Sequence, residues 1–362
     1  MKYVTEFRDG AAAARLVERI HRRAALPANL MEVCGTHTVA VFRHGIRQLL
    51  PKQVSLVSGP GCPVCVTANR DVDWAIAAAH RPDVILATFG DMLKVPGSFS
   101  SLQQARAEGC AIQVVYSALD ALSIARANPE KTVVFFGIGF ETTAPTIACS
   151  ILEAEEAGLD NYHVYSVHKV MPPPMKALVD AEEIEIDGFL CPGHVSTIIG
   201  SEPYRFLAEE YGIPCVIAGF EPLDILHAID MLLAMRAEGR AEVAIQYRRV
   251  VRPEGNPVAL ELLYRVFRPA DAEWRGLGII PGSGLEIREE YARFDARRAL
   301  QVDPGPTREH PGCRCGEVLR GVAQPPECSL YGRVCTPENP VGPCMVSSEG
   351  TCSTWFQFAG VE

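Results

Sequence analysis

The chain has 362 residues, 48% of them apolar, with 34 Lys+Arg against 44 Asp+Glu and a net charge of −10. That length and composition support two or three domains with real cores and exclude a disordered chain or a disulfide-stapled miniprotein. An acidic chain without a basic stripe is a poor match for nucleic acid, and apolar runs such as Thr132 to Phe136 are far too short to span a bilayer, so no membrane insertion is expected.

Met1 to Gly10 contains no apolar stretch that could act as a secretory signal, which places the chain in a reducing cytoplasm. There are 13 cysteines, an odd number, so they cannot all pair within the chain. In a reducing compartment, clustered thiols point to metal or redox chemistry more than to structural disulfides.

Eight short β-branched runs follow: Leu30 to Val33, Val54 to Val57, Val84 to Ala87, Ile112 to Tyr116, Thr132 to Phe136, His163 to Val167, Gly188 to Leu190 and Cys215 to Ala218. They are apolar throughout rather than alternating, as strands buried on both faces of a parallel sheet are. Each ends in a loop rich in Gly, Pro, Ser or Thr and leads into a helix-like stretch, such as Asp71 to His80 or Thr146 to Ala157, so the repeating unit is β-loop-α. Placing the first four runs beside the last four gives offsets of 103, 109, 103 and 101 residues, which predicts two similar α/β lobes, 30–127 and 128–240. In such sheets, functional groups gather in the loops after the carboxyl ends of strands.

The rhythm changes after residue 240. Val243 to Val251 and Leu260 to Phe267 read as longer strands separated by the turn-like 252–257, and from Pro304 the chain is dense in Pro, Gly and Cys. Six of the cysteines lie between Cys313 and Cys352, in a segment with so few aliphatic residues that a metal cluster is the natural staple.

The strand-end loops carry the chemistry. In Glu32-Val33-Cys34-Gly35-Thr36-His37-Thr38, Cys34 and His37 can address one point, as metal ligands or as a nucleophile with its base; a buried Cys beside a capping Thr is the structural alternative. Gly59-Pro60-Gly61-Cys62-Pro63-Val64-Cys65 sets a Cys-x-x-Cys between strand and helix. No second such pair exists to complete a zinc site, so a redox dithiol is the better reading of Cys62 and Cys65. Gly137-Ile138-Gly139-Phe140-Glu141-Thr142-Thr143 resembles a nucleotide loop but lacks the third spaced glycine and a phosphate-binding Lys; Glu141 could orient a ligand or accept a proton, or serve as a helix N-terminal acid. Cys191-Pro192-Gly193-His194 presents a further strand-end His, and Val167-His168-Lys169-Val170-Met171 followed by three prolines adds another with weaker specificity. The C-terminal set Cys313, Cys328, Cys335 and Cys352 is spaced by 14, 6 and 16 residues, with Cys315 and Cys344 in surplus; chemistry alone leaves open which four of the six bind. Cys110, Cys149 and Cys215 fall within apolar elements and read as packing residues.

Taken together, Cys-Gly-Thr-His-Thr (34–38), Gly-Pro-Gly-Cys-Pro-Val-Cys (59–65), Gly-Phe-Glu-Thr-Thr-Ala-Pro (139–145), Pro-Gly-His-Val-Ser (192–196) and the C-terminal cysteine spacing resemble the hydrogenase maturation factor HypD family. The resemblance runs from about residue 30 to the C-terminus and shows no departure at a motif position. It implies two similar α/β lobes and a C-terminal [4Fe–4S] domain, 241–362, on which an N-terminal helical segment, 1–29, packs. It also implies that the cluster ligands are Cys313, Cys328, Cys335 and Cys352. It further implies a complex with the small chaperone HypC as scaffold for the Fe(CN)2CO unit of [NiFe]-hydrogenase, with cyanide delivered through HypE and HypF and the hydrogenase large-subunit precursor as indirect recipient. In that family the cysteine matching Cys34 is an iron ligand shared with HypC. The combined expectation is a mononuclear iron on Cys34, His37 and His194 supporting its diatomic ligands, and Cys62/Cys65 exchanging two electrons with the cluster. Two rivals are an iron–sulfur-dependent protein disulfide reductase and a nucleotide-dependent enzyme built on Gly137 to Gly139.

Overall fold

The structure is a computed structural model that describes residues 5–359; the outermost residues of the expected N-terminal segment and C-terminal domain lie outside the described residues. All eight apolar runs form strands: β1 (Ala28–Glu32), β2 (Val54–Ser58), β3 (Val84–Thr88), β4 (Ile112–Val114), β5 (Thr132–Gly137), β6 (Tyr162–Ser166), β7 (Gly188–Pro192) and β8 (Cys215–Ala218). β3 and β7 are buried along their whole length, as strands covered on both faces must be. With β9 (Val243–Ile245) they make two wholly parallel sheets, ordered β2-β1-β7-β8-β9 and β4-β3-β5-β6.

The strands do not divide into a first four and a last four. The chain lays down β1 and β2, builds all of the second sheet, and returns to the first for β7, β8 and β9, so a boundary at 127/128 separates neither sheet from the other. Long-range pairing decides this: Leu30, Met31 and Glu32 of β1 lie opposite Gly188, Phe189 and Leu190 of β7. Apolar runs that are alike in composition carry no label saying which edge they will occupy. The two crossings between sheets run through the segments holding Cys62 and Cys65 and holding His168 and Lys169.

The N-terminal helix Gly10–Arg23 is capped by Asp9 Oδ1 on Ala12 N at 2.7 Å, and just ahead of it the Phe7 ring meets the Arg249 guanidinium at 4.1 Å. The N-terminal helix lies on the helix Pro222–Ala237 of the first sheet, burying Ile20 and sending Arg19 and Arg23 to the buried Asp230. A buried carboxylate is retained only with such partners, and they fix this docking.

Beyond residue 240 two expected strands change. Only Val243–Ile245 of the first pairs, against β8. The second, Leu260 to Phe267, is mostly helix: Asn256 caps Pro257–Val266 by accepting from Ala259 N at 3.2 Å, and Pro257 takes the first turn, where its missing N–H costs nothing. There follow β10 (Phe267–Trp274) and β11 (Gly278–Ile287), an antiparallel hairpin that joins the second sheet's core through Phe267, Leu285 and Ile287. The C-terminal helix Thr351–Phe358 packs against the helix Gly35–Arg43, with Phe42 and Trp355 at 5.1 Å, so the cysteine-rich segment is brought against the Cys34 loop.

Candidate functional site

β1 and β2 are parallel neighbours with Glu32 opposite Ser58, so the loops after them leave the same sheet edge side by side. Gly35 N donates to Gly61 O at 3.0 Å. A side chain at position 61 would meet Cys34 N at 2.3 Å, so only glycine lets the two loops approach this closely. Cys34 is the extended residue that opens the helix Gly35–Arg43, and Cys62 likewise opens Pro63–Val66, its Sγ accepting from Cys65 N at 3.3 Å. Both turns rest on buried Glu32, which accepts from Thr38 Oγ1 at 2.6 Å and from Cys34 N at 3.4 Å; burial pushes its carboxyl up to about 7.

The neighbouring strand ends β7 and β8 supply the rest. Buried His37 places Nε2 3.2 Å from Ala218 O and 3.0 Å from Gly219 O. Carbonyls only accept, so Nε2 carries the proton and Nδ1 keeps a lone pair, which has no hydrogen-bond partner among the described residues. Burial pulls this imidazole down to about 4, so it is neutral near pH 7. Phe220 stacks with His37 at 4.7 Å and with His194 at 3.9 Å, fixing both rings. The turn that holds Phe220 is anchored by Asp224, which is 1% exposed and accepts from Gln246 at 2.9 Å and from Arg249 at 2.8 Å.

Glu349, from the cysteine-rich segment, closes the loop. Its Oε1 accepts from Thr36 Oγ1 at 2.5 Å. Burial first, then the Glu349 charge, pushes the Cys34 thiol up to about 12, and the same carboxylate opposes the fall that burial imposes on His194. Cys34, His37, His194 and the Cys62/Cys65 pair thus share one sheet edge, as their loops implied. Glu141 does not join them: buried at the end of β5, it accepts from Met171 N at 2.9 Å and has Tyr204 and Tyr264 for neighbours.

The six C-terminal cysteines line one small pocket. The two that the sequence left in surplus are the ones nearest the dithiol. The short helix Pro63–Val66 packs on Pro343–Met345, which sets Cys65 beside Cys344, and Cys62, Cys65, Cys315 and Cys344 share one buried cluster with Cys313 and Cys352 packed against it. A line of thiols therefore runs from Cys62 and Cys65 into the pocket. Burial holds the Cys65 thiol well above the ordinary range against the contact with Cys344, while Cys315 and Cys344, each lowered by one thiol neighbour, are carried well above it by their other thiol neighbours and by burial. Among the described residues no three Cys, His, Asp or Glu side chains are placed to hold a single metal ion. Of the cysteines read as packing residues, Cys215 is buried while Cys110 and Cys149 are only partly so.

A family model, HypD, described as the hydrogenase formation hypA family, matches residues 11–359. The chain belongs to the HypD family. It is 50% identical to the hydrogenase expression/formation protein HupD of Azotobacter chroococcum, over 99% of this chain and 97% of that one. Against the hydrogenase maturation factors HypD of Azotobacter vinelandii and Escherichia coli it is 49% and 42% identical, over 99% of this chain and 97% and 98% of theirs. The chain is therefore a hydrogenase maturation factor of that family. Sequence reading missed Glu349, Phe220 and Asp224. Glu349 sits in a stretch without periodicity and Phe220 in the turn after β8, known only by their contacts, whereas Asp224 stands in the first turn of the helix Pro222–Ala237, where Glu221-Pro222-Leu223-Asp224 is a legible capping box.

Proposed function

We propose that the chain is a redox-active scaffold, rather than a turnover enzyme, on which the Fe(CN)2CO unit of [NiFe]-hydrogenase is assembled in the cytoplasm together with HypC, with cyanide arriving through HypE and HypF. The observation that carries this reading is the packing of Cys62 and Cys65 with Cys344 and Cys315 beside the cysteine pocket, beginning one residue from the glycine that meets Cys34. Soft thiolates suit an iron bearing π-acceptor ligands. A thiol held as high as Cys34 ionises when it meets a cation rather than by pH alone, which keeps the free protein unreactive until its iron cargo is delivered. Neutral His37 offers the lone pair of Nδ1, and His194 a second imidazole on the same Phe220 ring, to accept or return protons beside that cargo.

The donor chemistry suits a [4Fe–4S] cluster: six cysteines line one small pocket, two more than the four thiolates such a cluster takes. We assign Cys313, Cys328, Cys335 and Cys352 as its ligands, and Cys315 and Cys344 as the connection to the dithiol. Bound there, a cluster supplies electrons one at a time. Two electrons and two protons convert a Cys62–Cys65 disulfide to two thiols, and the reverse step delivers two electrons to the cargo site.

Infrared spectroscopy with iron counting on the anaerobically isolated HypC complex tests this. Cys34→Ala should abolish the cyanide and carbon monoxide bands and leave about four irons per chain where the parent holds about five. Bands of normal intensity in the variant would end the ligand role of Cys34. The same line of thiols also suits an iron–sulfur protein disulfide reductase, which predicts turnover with a disulfide substrate and about four irons in both proteins.

A further inference from the structure

A cavity of about 410 Å³ lies where the loop after β6 meets the β10–β11 hairpin, well within the size range of small-molecule sites. Asp71, Trp74, Tyr165, Lys169, Glu273 and Arg297 line it, and none of them belongs to the Cys34 site or the cysteine pocket. Lys169 decides its character. The residue is 3% exposed, tied by its backbone N to Gly139 O at 3.0 Å, and the fixed charges its ammonium feels, Asp71, Arg297 and Glu273, act only at a distance. No hydrogen bond or ion pair to that ammonium exists among the described residues.

Asp71, the carboxylate that Lys169 feels most, is already engaged. Asp71 Oδ1 accepts from Tyr165 OH at 2.8 Å and faces Arg297 at 3.8 Å. Tyr165 is held in turn by Trp74, stacked at 3.8 Å and 5° between planes, and by the Arg297 guanidinium at 4.7 Å from its ring. Lys169 and Arg297, two cations that repel each other, therefore share a preformed cavity with Asp71, whose carboxylate is engaged, and with Glu273, which acts on Lys169 only at a distance. A lysine set this deeply without a paired carboxylate is costly, and a fold that ends its ammonium at an open cavity leaves room there for one anion. His168, in the same lining, adds an acceptor. Ser166 Oγ donates to Leu285 O and so accepts from His168 Nδ1, leaving buried Nε2 unprotonated and without a partner.

We propose that this cavity binds a small monocarboxylate, held between Lys169 Nζ and the Arg297 guanidinium. The charge of the lining sets the limit of one. Asp71, Asp271, Glu273 and Glu286 face the cavity along with Arg70, Lys169 and Arg297, so a single carboxylate finds two donors while a phosphate chain meets a ring of like charge.

The test is a titration of the full-length, anaerobically purified protein with [13C]acetate at constant ionic strength, sodium chloride replacing the probe, read by the carbon line width. Saturable binding with a dissociation constant of roughly a millimolar or tighter, weakened about tenfold or more in both Lys169→Met and Arg297→Gln, supports the site, since each variant loses one charge-assisted contact. No saturable binding to the parent protein overturns it, and this result needs no variant to fold. Equal binding in parent and folded variants overturns it as well. Inorganic phosphate or a nucleoside triphosphate displacing acetate at lower concentration than acetate itself requires would overturn the carboxylate assignment.

Discussion

Glu141 offers a stability measurement with a definite sign. Its carboxylate leaves the end of β5 and is 2% exposed; Oε1 accepts from Met171 N, while Oε2 is buried without a partner among the described residues. Met171 precedes the helix Pro172–Asp180, whose three leading prolines have no N–H, so Met171 donates the one amide there that needs an acceptor. Burial outweighs that hydrogen bond and raises the carboxyl from 4.5 to about 7. A group raised in the folded state binds a proton that the unfolded chain has released, so stability falls as pH rises from about 4.5 to about 7 and is level above that. The slope is about 1.4 kcal/mol per pH unit and the whole loss about 3 kcal/mol. Glu141→Gln retains an oxygen for Met171 and removes the charge. Urea unfolding from about pH 5 to about pH 8 should show the variant gaining on the parent with rising pH, reaching an advantage of about 3 kcal/mol at the alkaline end. A difference that does not change with pH, or a variant less stable than the parent at high pH, would refute the reasoning and return Glu141 to the list of functional acids.

Cys344→Ser should break the thiol line at its junction. Cluster absorbance should persist, while Cys62 and Cys65, scored by alkylation and mass spectrometry after a one-electron reductant, should stay oxidised where the parent yields thiols; equal labelling in both would remove Cys344 from the route. Asp224→Ala leaves Arg249 and Gln246 without their shared acceptor beside the turn that carries Phe220. Breaking such a buried pair should cost about 3 kcal/mol in denaturant unfolding, and a loss under about 1 kcal/mol would mean the turn holds itself.

What the sequence could disclose depended on the range of the interaction. The eight strands were legible because burial on both faces leaves a local mark, an unbroken β-branched run, and the loops were legible because Cys34, His37, Cys62, Cys65 and His194 stand at the ends of such runs. The partition into sheets was not, because β1 pairs with β7 across more than a hundred residues on the strength of shape alone. Leu260 to Phe267 was misread for a local reason: its apolar run suits either structure, and the deciding signal, Asn256 followed by Pro257, lies just upstream as a helix cap and first turn. The cysteines show the same division most sharply. Spacing isolates Cys62 and Cys65 as a pair, yet among the six C-terminal cysteines it leaves open which two exceed the four that complete a cluster. Only the docking of the cysteine-rich segment against the first sheet edge, through Trp355 on Phe42 and Glu349 on Thr36, turns Cys315 and Cys344 into the bridge between dithiol and pocket. That docking ties the cysteine pocket to the Cys34 loop, so a substitution that loosens Glu349 from Thr36 should disturb both together.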